Sequence, residues 1–540
     1  MNPKFIFVVG GVMSSVGKGI TAASIGALLK ARGFRVTALK IDPYVNVDAG
    51  TMNPTEHGEV FVTVDGDETD QDMGNYERFL DTTLTSINYM TTGRVYQSVI
   101  NRERGMGYKG RCVQVVPDIP KEVLGRIEQA VTANKAEIAI IEIGGTVGEY
   151  ENILFLEAAR MLKLERPSDV AFVLVSYLPI PSHVGEMKTK PTQHAARSLN
   201  SAGIQADVII ARGERMLDAP RREKLAVHCG VPKNAAIAAP DVSSIYDVPG
   251  LFDKQDLAKE LMAKLGLKPR KNDMRVWNNL STRVKNARRE IRIAVVGKYF
   301  GTGDFTLADS YISVIESLKH AAWAAGAKPA LAWIDAEQFE KKPRAIEMLK
   351  KFDGILVPGG FGSRGIEGII STIKFAREKK IPYFGLCYGM QLACIELARS
   401  IGLRGASSVE IDEKTKYPII IVNPFQQQNI KEGRYGATMR LGSYSCQVMR
   451  GTKAFQAYKE EVVHERHRHR YEFNNEYRTK LEKAGMVFSG INPESGLVEI
   501  VELKNHPWFV GVQFHPEFTS RPLRPQPLFL AFIKAALKHK

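Results

Sequence analysis

The sequence predicts an α/β fold with two doubly wound domains, and three observations lead to this prediction. The chain has 540 residues, which is more than one ordinary domain holds. Apolar strand-like runs alternate with helix-like stretches in both halves of the chain. A polar and basic stretch at residues 268–290 separates the two halves. We therefore expect domains at residues 1–267 and 291–540, joined by a linker with a short helix.

The first domain begins with an apolar strand at residues 5–9, a Gly/Ser-rich loop and a helix at residues 19–32. Further apolar runs predict strands at residues 35–40, 138–143, 170–175 and 206–210. The second domain is expected to have strands at residues 291–297, 354–357 and 381–386, and a helix at residues 390–398. Residues 405–445 show no clear pattern and are compatible with an insertion.

Composition argues against a membrane or secreted protein. No apolar stretch approaches the ~20 residues of a membrane span, and the N-terminus has no signal-peptide layout. The five cysteines are few, odd in number and widely spread, which is typical of a reducing cytoplasm without disulfide bonds. No CxxC pair is present, so a structural zinc site is not expected.

The net charge of +15 is compatible with nucleic-acid binding or with attraction of anionic small substrates such as nucleotides. Basic residues are concentrated at residues 283–292 and 466–470. The sequence shows no aromatic-basic platform, zinc finger or helix-turn-helix signature. We therefore expect nucleotide substrates and no nucleic-acid partner.

Two separated segments of the second domain carry a thiol, an imidazole and a carboxylate. Cys387 lies between a strand-like and a helix-like run, and His515 and Glu517 are two residues apart. A thiol at a helix N-terminus is favoured as thiolate and lies beside backbone N–H groups that can bind an oxyanion. On a strand, His515 and Glu517 share a face, so that Glu517 can orient the imidazole. A lone Cys after a buried strand is usually a core thiol, but this pairing indicates a Cys-His-Glu triad.

The first strand is followed by a glycine-rich loop that opens a helix, which is the context of a P-loop. Its Lys18 is placed to contact β- and γ-phosphates. The match is imperfect: the spacing from Gly11 to Gly17 is one residue too long, and Gly19 replaces the Ser or Thr that binds magnesium. Carboxylates must then hold the metal, with Asp72 and Glu142 as candidates. A structural salt bridge is the alternative for Glu142, and Asp72 is one acid among many.

Residues 188–193 combine two lysines, two threonines and a glutamine. This composition is compatible with a solvated loop or with an anion-binding site. The sequence alone leaves both interpretations open.

The Cys387 and His515 segments resemble the class I glutamine amidotransferases. Their glutaminase domain carries a Gly-x-Cys-x-Gly-x-Gln elbow and a distal His-x-Glu, as residues 385–391 and 515–517 do here. In that family a glycine-rich loop after a strand supplies the second oxyanion N–H. Residues 356–362, Leu-Val-Pro-Gly-Gly-Phe-Gly, match this loop and place the donor around Gly360.

Nearly the whole chain resembles the CTP synthase family. The runs that carry the resemblance are residues 10–20, 40–48, 57–63, 142–148, 188–193 and 465–471. The resemblance implies a P-loop-like synthetase (amidoligase) domain followed by a class I glutaminase domain. It further implies that ATP phosphorylates O4 of UTP, and that ammonia from glutamine hydrolysis at Cys387 displaces the phosphate to give CTP, ADP and phosphate.

The resemblance also implies site residues. The ATP site would comprise Ser15, Val16, Gly17, Lys18, Gly19, Ile20, Lys40, Asp72, Pro240, Asp241 and Val242, with Asp72 and Glu142 as ligands of Mg²⁺. The UTP and CTP contacts would be Ser14, Glu149, Tyr150, Glu151, Lys188, Thr189, Lys190, Pro191, Thr192, Gln193 and Lys224. Glutamine would contact Gly360, Tyr388, Gly389, Met390, Gln391, Glu410 and Arg470.

Three of these positions depart from the family pattern. Pro240 stands where some relatives have Lys, and the spacing from Cys387 to Glu410 is shifted by one. Relatives often carry Leu at the position of Tyr388. Because the backbone N–H of Tyr388 is the expected oxyanion donor, its side chain is expected to matter little.

The family resemblance further implies activation by GTP, feedback inhibition by CTP, a homotetramer and a cytoplasmic role in pyrimidine biosynthesis. Two alternatives remain at this point. One is a related amidoligase of the cobyrinate type that acts on a carboxylate; residues 188–193 argue against it. The other is a nucleotide-binding scaffold or filament protein with an inactive glutaminase; the intact triad argues against that.

Overall fold

The computed structural model describes residues 2–53, 57–298, 301–302, 305–306, 308–360, 362, 364–424 and 439–539. Phe361 of the glycine-rich loop and residues 425–438 of the unassigned stretch lie outside the described residues. The chain forms two units, one of Met1–Ala49 and Asp72–Thr282, the other of Gly50–Gln71 and Arg283–Lys540. Across the described ranges, no helix is both long enough and apolar enough to cross a bilayer.

The first unit contains a parallel sheet. Strands in the N-terminal half are β1 (Lys4–Gly11), β2 (Val36–Asp42), β3 (Val60–Val62), β4 (Glu68–Asp70), β5 (Tyr89–Thr91), β6 (Ile138–Ile143), β7 (Val170–Tyr177), β8 (Val208–Gly213) and β9 (Ala236–Pro240). Of these, β3 and β4 belong to the second unit, where they pair as an antiparallel hairpin. Seven of them form a sheet in the order β5-β2-β6-β1-β7-β8-β9, and all neighbouring pairs are parallel. Strand β6 is buried along its whole length, as expected for a strand with helices on both faces.

Helices connect these strands. They are α1 (Lys18–Lys30), α2 (Asp72–Leu80), α3 (Thr92–Arg104), α4 (Val115–Ala133), α5 (Ile153–Glu165), α6 (Lys190–Ser201), α7 (Ala219–Cys229), α8 (Val248–Asp253), α9 (Leu257–Lys264) and α10 (Arg275–Asn286). Short 3₁₀ helices lie at Ser86–Asn88, Lys233–Ala235 and Ile245–Asp247. The strands predicted from the first five apolar runs correspond to β1, β2, β6, β7 and β8. The prediction of a parallel α/β sheet is therefore confirmed.

The second unit contains a mixed sheet. Its strands are β10 (Arg289–Gly297), β11 (Gly301–Thr302), β12 (Phe305–Thr306), β13 (Ala327–Asp335), β14 (Gly354–Val357), β15 (Tyr383–Leu386), β16 (Ala406–Ser408), β17 (Tyr417–Val422), β18 (Arg440–Val448), β19 (Val462–His469), β20 (Tyr471–Phe473), β21 (Met486–Ile491), β22 (Val498–Leu503) and β23 (Phe509–Val512). The nine-stranded sheet has the order β13-β10-β14-β15-β23-β22-β21-β18-β19. Its first five strands are parallel, and the last four join antiparallel.

Helices cover both faces of this sheet. They are α11 (Ile312–Ala324), α12 (Glu337–Lys341), α13 (Ile366–Lys379), α14 (Tyr388–Ser400), α15 (Lys453–Tyr458), α16 (Arg478–Lys483) and α17 (Pro527–Lys538), with 3₁₀ helices at Ala308–Tyr311, Pro343–Lys351, Asn475–Tyr477 and Pro516–Thr519. Two hydrophobic clusters result, one around Tyr383 and Met390 and one around Phe384 and Phe532. Adjacent residues Tyr383 and Phe384 enter different clusters because successive side chains of a strand point to opposite faces.

Candidate active site

Cys387 lies at a strained turn between β15 and α14. Its φ of +49° places a non-glycine residue in left-handed backbone, which is uncommon outside functional turns. Its backbone N–H donates to the carbonyl of Val512 on the neighbouring strand at 2.6 Å. The turn presents the thiol at the N-terminus of a 13-residue helix, where the helix dipole favours negative charge.

Two glycines let the chain form this turn. A Cβ at Gly385 would lie 2.8 Å from the carbonyl carbon of Gly389, and a Cβ at Gly389 would lie 2.5 Å from the carbonyl oxygen of Val357. Both distances are shorter than a carbon side chain tolerates. The Gly-x-Cys-x-Gly spacing is therefore explained by close backbone packing around Cys387.

His515 and Glu517 lie next to this turn. The expectation that they lie on a strand is wrong, because β23 ends at Val512 and Pro516–Thr519 form a 3₁₀ helix. Their side chains nevertheless meet, with Nδ1 of His515 2.8 Å from Oε1 of Glu517. The His515 ring also stacks on Phe518 at a centroid distance of 5.3 Å. The carboxylate and the aromatic ring together fix the imidazole.

The electrostatic surroundings of His515 favour the imidazolium that forms when the ring takes a proton. Burial lowers the pKa of His515, but the charges of Glu517 and Cys387 outweigh it and raise the pKa to about 10. Among the described residues, its Nε2 is buried without a hydrogen-bond partner. The ring can therefore exchange a proton with a group bound beside Cys387.

A cavity of about 590 Å³ in the second unit adjoins the thiol. It includes seven residues predicted from the sequence: Gly360, Cys387, Gln391, Glu410, Arg470, His515 and Glu517. Tyr388, Gly389 and Met390 lie in the first turn of α14 and are buried. The structure thus brings together, around one cavity, residues that span more than 150 positions of the sequence.

The sequence interpretation missed a contribution from the N-terminal third of the chain. Gly50, Thr51, Met52, Asn53, Glu59 and Val60 line the cavity, together with Tyr311, Arg468 and His469. The β3–β4 hairpin is held in the second unit by Phe61, whose ring contacts Phe518 at 5.1 Å, and by Glu68, whose Oε1 lies 2.7 Å from Nε of Arg468. Because this contact spans 400 residues, no local sequence signal reports it.

The glycine-rich loop after β1 contains several residues with positive φ and ends at the N-terminus of α1. Val12, Ser15 and Gly17 have positive φ values of 79°, 55° and 90°, and Gly17 caps α1 without a side-chain hydrogen bond. Lys18 bends back over the loop, and its Nζ donates to the carbonyl of Gly145 at 2.9 Å. Burial lowers the pKa of Lys18. A loop of this form, ending at a helix N-terminus, suits a phosphate group.

Asp72 and Glu142 converge on one lysine. Nζ of Lys40 lies 2.6 Å from Oδ2 of Asp72 and 2.8 Å from Oε1 of Glu142. Lys40 and Glu142 are paired in register on β2 and β6, and the hydroxyl of Tyr76 donates to the other Glu142 oxygen. Burial, followed by the Asp72 charge, raises the pKa of Glu142. Both carboxylates thus lie beside Lys40, near the carboxyl ends of β2 and β6.

Gly19 explains how Asp72 reaches this position. A Cβ at Gly19 would lie 1.8 Å from Oδ1 of Asp72. The carboxylate therefore occupies the space that the Ser or Thr of an ordinary P-loop would fill. Across the described residues, no group of three or more His, Cys, Asp and Glu side chains is arranged to hold a metal by itself. Two carboxylates beside a phosphate loop still fit Mg²⁺, which takes one or two carboxylates together with substrate phosphates.

The other predicted nucleotide residues lie mostly after the ends of parallel strands. Ser14, Val16 and Ile20 belong to the loop after β1 and the start of α1; Glu149, Tyr150 and Glu151 follow β6; Lys188, Thr189, Lys190, Pro191, Thr192 and Gln193 follow β7 and open α6; Pro240, Asp241 and Val242 end or follow β9; Lys224 lies within α7. Thr192 and Ser176 share a buried hydrogen bond of 2.9 Å between their hydroxyls, whereas the Tyr150 side chain is 91% exposed. The carboxyl edge of a parallel sheet is where ligands bind in such folds.

Comparison with known proteins covers both units. The family model for "CTP synthase N-terminus" matches residues 4–267, and the model for "Glutamine amidotransferase class-I" matches residues 306–535. A solved structure titled "Trypanosoma brucei CTPS - glutaminase domain with bound acivicin" is 37% identical, has a TM-score of 0.43, and covers 46% of this chain and 95% of that chain.

Relatives of similar length match the entire chain. The CTP synthase of Bacillus licheniformis is 51% identical over 537 residues, covering 99% of each chain. The CTP synthase of Symbiobacterium thermophilum is 51% identical over 543 residues, again covering 99% of each. Identity at this level over nearly the whole length, together with the two domain matches, shows that the chain is an enzyme that belongs to the CTP synthase family.

Proposed function

We propose that the chain is a glutamine-hydrolysing CTP synthase that aminates UTP through a 4-phosphorylated intermediate. The observation that carries this proposal is the buried His515–Glu517 pair beside the Cys387 turn, in a chain whose other unit has a glycine-rich loop at a helix N-terminus. We assign residues 1–267 to the amidoligase domain, 268–290 to the linker and 291–540 to the glutaminase domain, against which residues 50–71 pack.

In the proposed glutaminase reaction, Cys387 attacks the side-chain amide of glutamine and forms a thioester. His515 takes the thiol proton, which leaves a thiolate beside the imidazolium, and gives a proton to the leaving amine, which departs as ammonia. Glu517 keeps the imidazole oriented and stabilises its positive charge. A water molecule, deprotonated by His515, then hydrolyses the thioester to glutamate.

The tetrahedral intermediate needs donors for its oxyanion. The backbone N–H of Tyr388, at the start of α14, and that of Gly360 are the proposed pair. The glycine-rich loop is close enough to serve, since a Cβ at Gly359 would lie 2.8 Å from Cε1 of His515 and 3.8 Å from Cβ of Cys387. Gln391, Glu410 and Arg470 line the same cavity and are proposed glutamine contacts. Gly389 and Met390, which precede Gln391 in α14, are proposed as further contacts.

In the proposed amidoligase reaction, the loop at residues 15–20 and Lys40 bind ATP, and Lys18 offsets charge on the transferring phosphoryl group. Asp72 and Glu142 would hold Mg²⁺, which neutralises phosphate charge when it is bound. Phosphorylation of O4 converts a poor leaving group into a good one, so that ammonia can displace it. Ser14, Lys224, and residues 149–151 and 188–193 are the proposed UTP and CTP contacts, and residues 240–242 the proposed adenine side.

Regulation and assembly are proposed from family membership. We propose GTP as activator, CTP as feedback inhibitor, a homotetramer and a cytoplasmic location. Exposed apolar side chains on the first unit support the assembly, because such surfaces are usually covered by partners; Ile100, Met106, Val115 and Val116 are 46–66% exposed. Five cysteines that are all free support a reducing compartment.

The test is to separate the two nitrogen sources. Purified protein with UTP, ATP, magnesium and GTP should form CTP and ADP together from either glutamine or added ammonia. Cys387→Ala should abolish glutamine-dependent CTP formation and spare the ammonia-dependent reaction, as measured by nucleotide chromatography. Loss of both reactions, or surviving glutamine hydrolysis, would contradict the role of Cys387.

Lys18→Ala is the complementary variant. It should eliminate CTP formation from either nitrogen source, because phosphoryl transfer precedes amination, while glutamine hydrolysis remains detectable. Ammonia-dependent turnover in this variant would contradict the role of Lys18. If the wild-type protein formed ADP and glutamate without CTP, the acceptor would be a carboxylate or another group instead of UTP.

A further inference from the structure

The glycine-rich loop is held at Gly362 by three side chains. The carbonyl oxygen of Gly362 accepts hydrogen bonds from Nζ of Lys298 at 2.6 Å and from the hydroxyl of Tyr388 at 2.8 Å. Its N–H donates to Oε1 of Glu410 at 2.9 Å. Gly362 has a φ of +78°, and glycine adopts many backbone conformations without side-chain restraint. The three contacts therefore restrict the backbone conformation of a residue that could otherwise adopt many.

The two donors to this carbonyl are themselves coupled. Lys298 and Tyr388 are only 4% and 2% exposed. Nζ of Lys298 lies 3.3 Å from the Tyr388 hydroxyl and 4.4 Å from the centroid of its ring. Burial lowers the pKa of Lys298 to about 8, although the nearby Glu410 carboxylate acts in the opposite direction. A buried ammonium group is stable only when it is paired or hydrogen-bonded, and hydrogen bonds are stronger in the protein interior than in water.

Tyr388 is also the residue directly after the nucleophile. Its side chain therefore connects the N-terminus of α14 to the glycine-rich loop. An oxyanion hole with one N–H on each of these elements works only if their separation is fixed, because its donors must lie about 3 Å from the developing charge. The Lys298–Tyr388–Gly362 contacts join the two elements.

We propose that the Tyr388 hydroxyl and the Lys298 ammonium form a clamp that positions the glycine-rich loop for oxyanion binding. The inference rests on the proposed glutaminase function. Tyr388 and Lys298 act through the loop and their side chains do not touch the reacting atoms, so both are positioning residues. The clamp gives the Tyr388 side chain a role beyond that of its backbone N–H.

The test is Tyr388→Phe, which keeps the ring above Lys298 and removes only the hydroxyl. We expect kcat for glutamine hydrolysis to fall about tenfold, less than the 10²–10³ that removal of an oxyanion donor costs. KM should change little, because the interaction strengthens only in the transition state. Tyr477→Phe, which removes a phenol hydroxyl from the 3₁₀ helix Asn475–Tyr477, is the matched control.

Two further measurements separate positioning from loss of structure. Alkylation of Cys387 by iodoacetamide displaces iodide from carbon and develops no oxyanion, so its rate in Tyr388→Phe should equal that of the wild type. Ammonia-dependent CTP formation should also be unchanged. Because Lys298 shares the clamp, Lys298→Met should lower kcat, and the double variant should lose less than the product of the two single effects.

Several outcomes would overturn the clamp. These are an unchanged kcat in Tyr388→Phe, a parallel fall in alkylation and hydrolysis, a dominant rise in KM, or strictly multiplicative losses in the double variant. Wild-type protein that releases no glutamate from glutamine would instead refute the proposed glutaminase function itself. The two failures are therefore distinguishable in one set of assays.

Discussion

Gly19→Ser restores the residue type of an ordinary P-loop, yet we expect it to inactivate the synthetase unit. The new Cβ would lie 1.8 Å from Oδ1 of Asp72, whereas a tolerable contact is at least 3.0 Å. The carboxylate must therefore move by more than about 1 Å. Such a shift breaks the 2.6 Å ion pair of Asp72 with Lys40, whose side chain is only 6% exposed. Loss of a buried pair costs about 3 kcal/mol.

Two assays measure this effect. The free energy of unfolding, from urea titration of the first-unit transition, should fall by about 3 kcal/mol. Ammonia-dependent CTP formation should fall at least about 100-fold, since a displacement near 1 Å misplaces a proposed ATP-site carboxylate. Glutamine hydrolysis should remain close to the wild-type rate because Cys387 and His515 lie in the other unit.

Two controls make the reasoning refutable. Gly125 lies in α4, and a Cβ added there would meet no atom within 4 Å, so Gly125→Ser should change stability by less than about 0.5 kcal/mol. In Gly19→Ser with Asp72→Ala, the clash is gone, and the double variant should be more stable than the sum of the single effects predicts. Wild-type stability and ammonia-dependent activity in Gly19→Ser would refute the assignment of this space to Asp72.

Three further predictions concern the second unit. Gly389→Ala places a Cβ 2.5 Å from the backbone oxygen of Val357; glutamine-dependent CTP formation should fall at least about 100-fold while the ammonia-dependent rate persists, and equal losses would argue against a local effect. In Glu517→Gln, burial is left to lower the pKa of His515, and kcat for glutamate release should fall by about 10²–10⁴ with an altered pH profile; an unchanged profile would count against the pair. Burial raises the pKa of the Glu472 carboxyl from 4.5 to about 8, so the folded state binds more protons than the unfolded state between these values. The free energy of unfolding should then decrease as pH rises through this window. Urea titrations at several pH values should show that this decrease with pH is smaller in Glu472→Gln; an unchanged pH dependence would exclude Glu472 as its source.

The turn that carries Cys387 could be predicted from sequence, whereas the position of His515 could not. The pattern around Cys387 predicted a thiol between a strand and a helix, and the structure has this arrangement. Local order could be predicted because strand and helix patterns and glycine spacing are short-range properties. The strand expected at His515 was wrong, since Pro516 follows the histidine and the chain turns into a 3₁₀ helix. The side chains meet through that turn and not through strand alternation.

The parallel sheet of the first unit was also predictable, because its buried strands are nearly continuous apolar runs. The antiparallel strands β18, β19, β21 and β22 were not predicted. Their half-exposed patterns are weaker, as in β18, where buried and partly exposed residues are interspersed. The order of the strands in this sheet is also hard to predict from sequence, since β15 pairs with β23 across more than 100 residues.

The sequence by itself determined the fold class, and it predicted the Cys387, His515 and Glu517 set and the glycine-rich loop with Lys18. These predictions depend on residue type and on short-range spacing, which can be read directly from the sequence. Only the tertiary structure decided that residues 50–53, 59 and 60 line the cavity beside Cys387, that Asp72 fills the space left by Gly19, and that Tyr388 contacts Gly362. The physical reason is that these contacts join residues distant in sequence, so their energies depend on packing that no local pattern encodes.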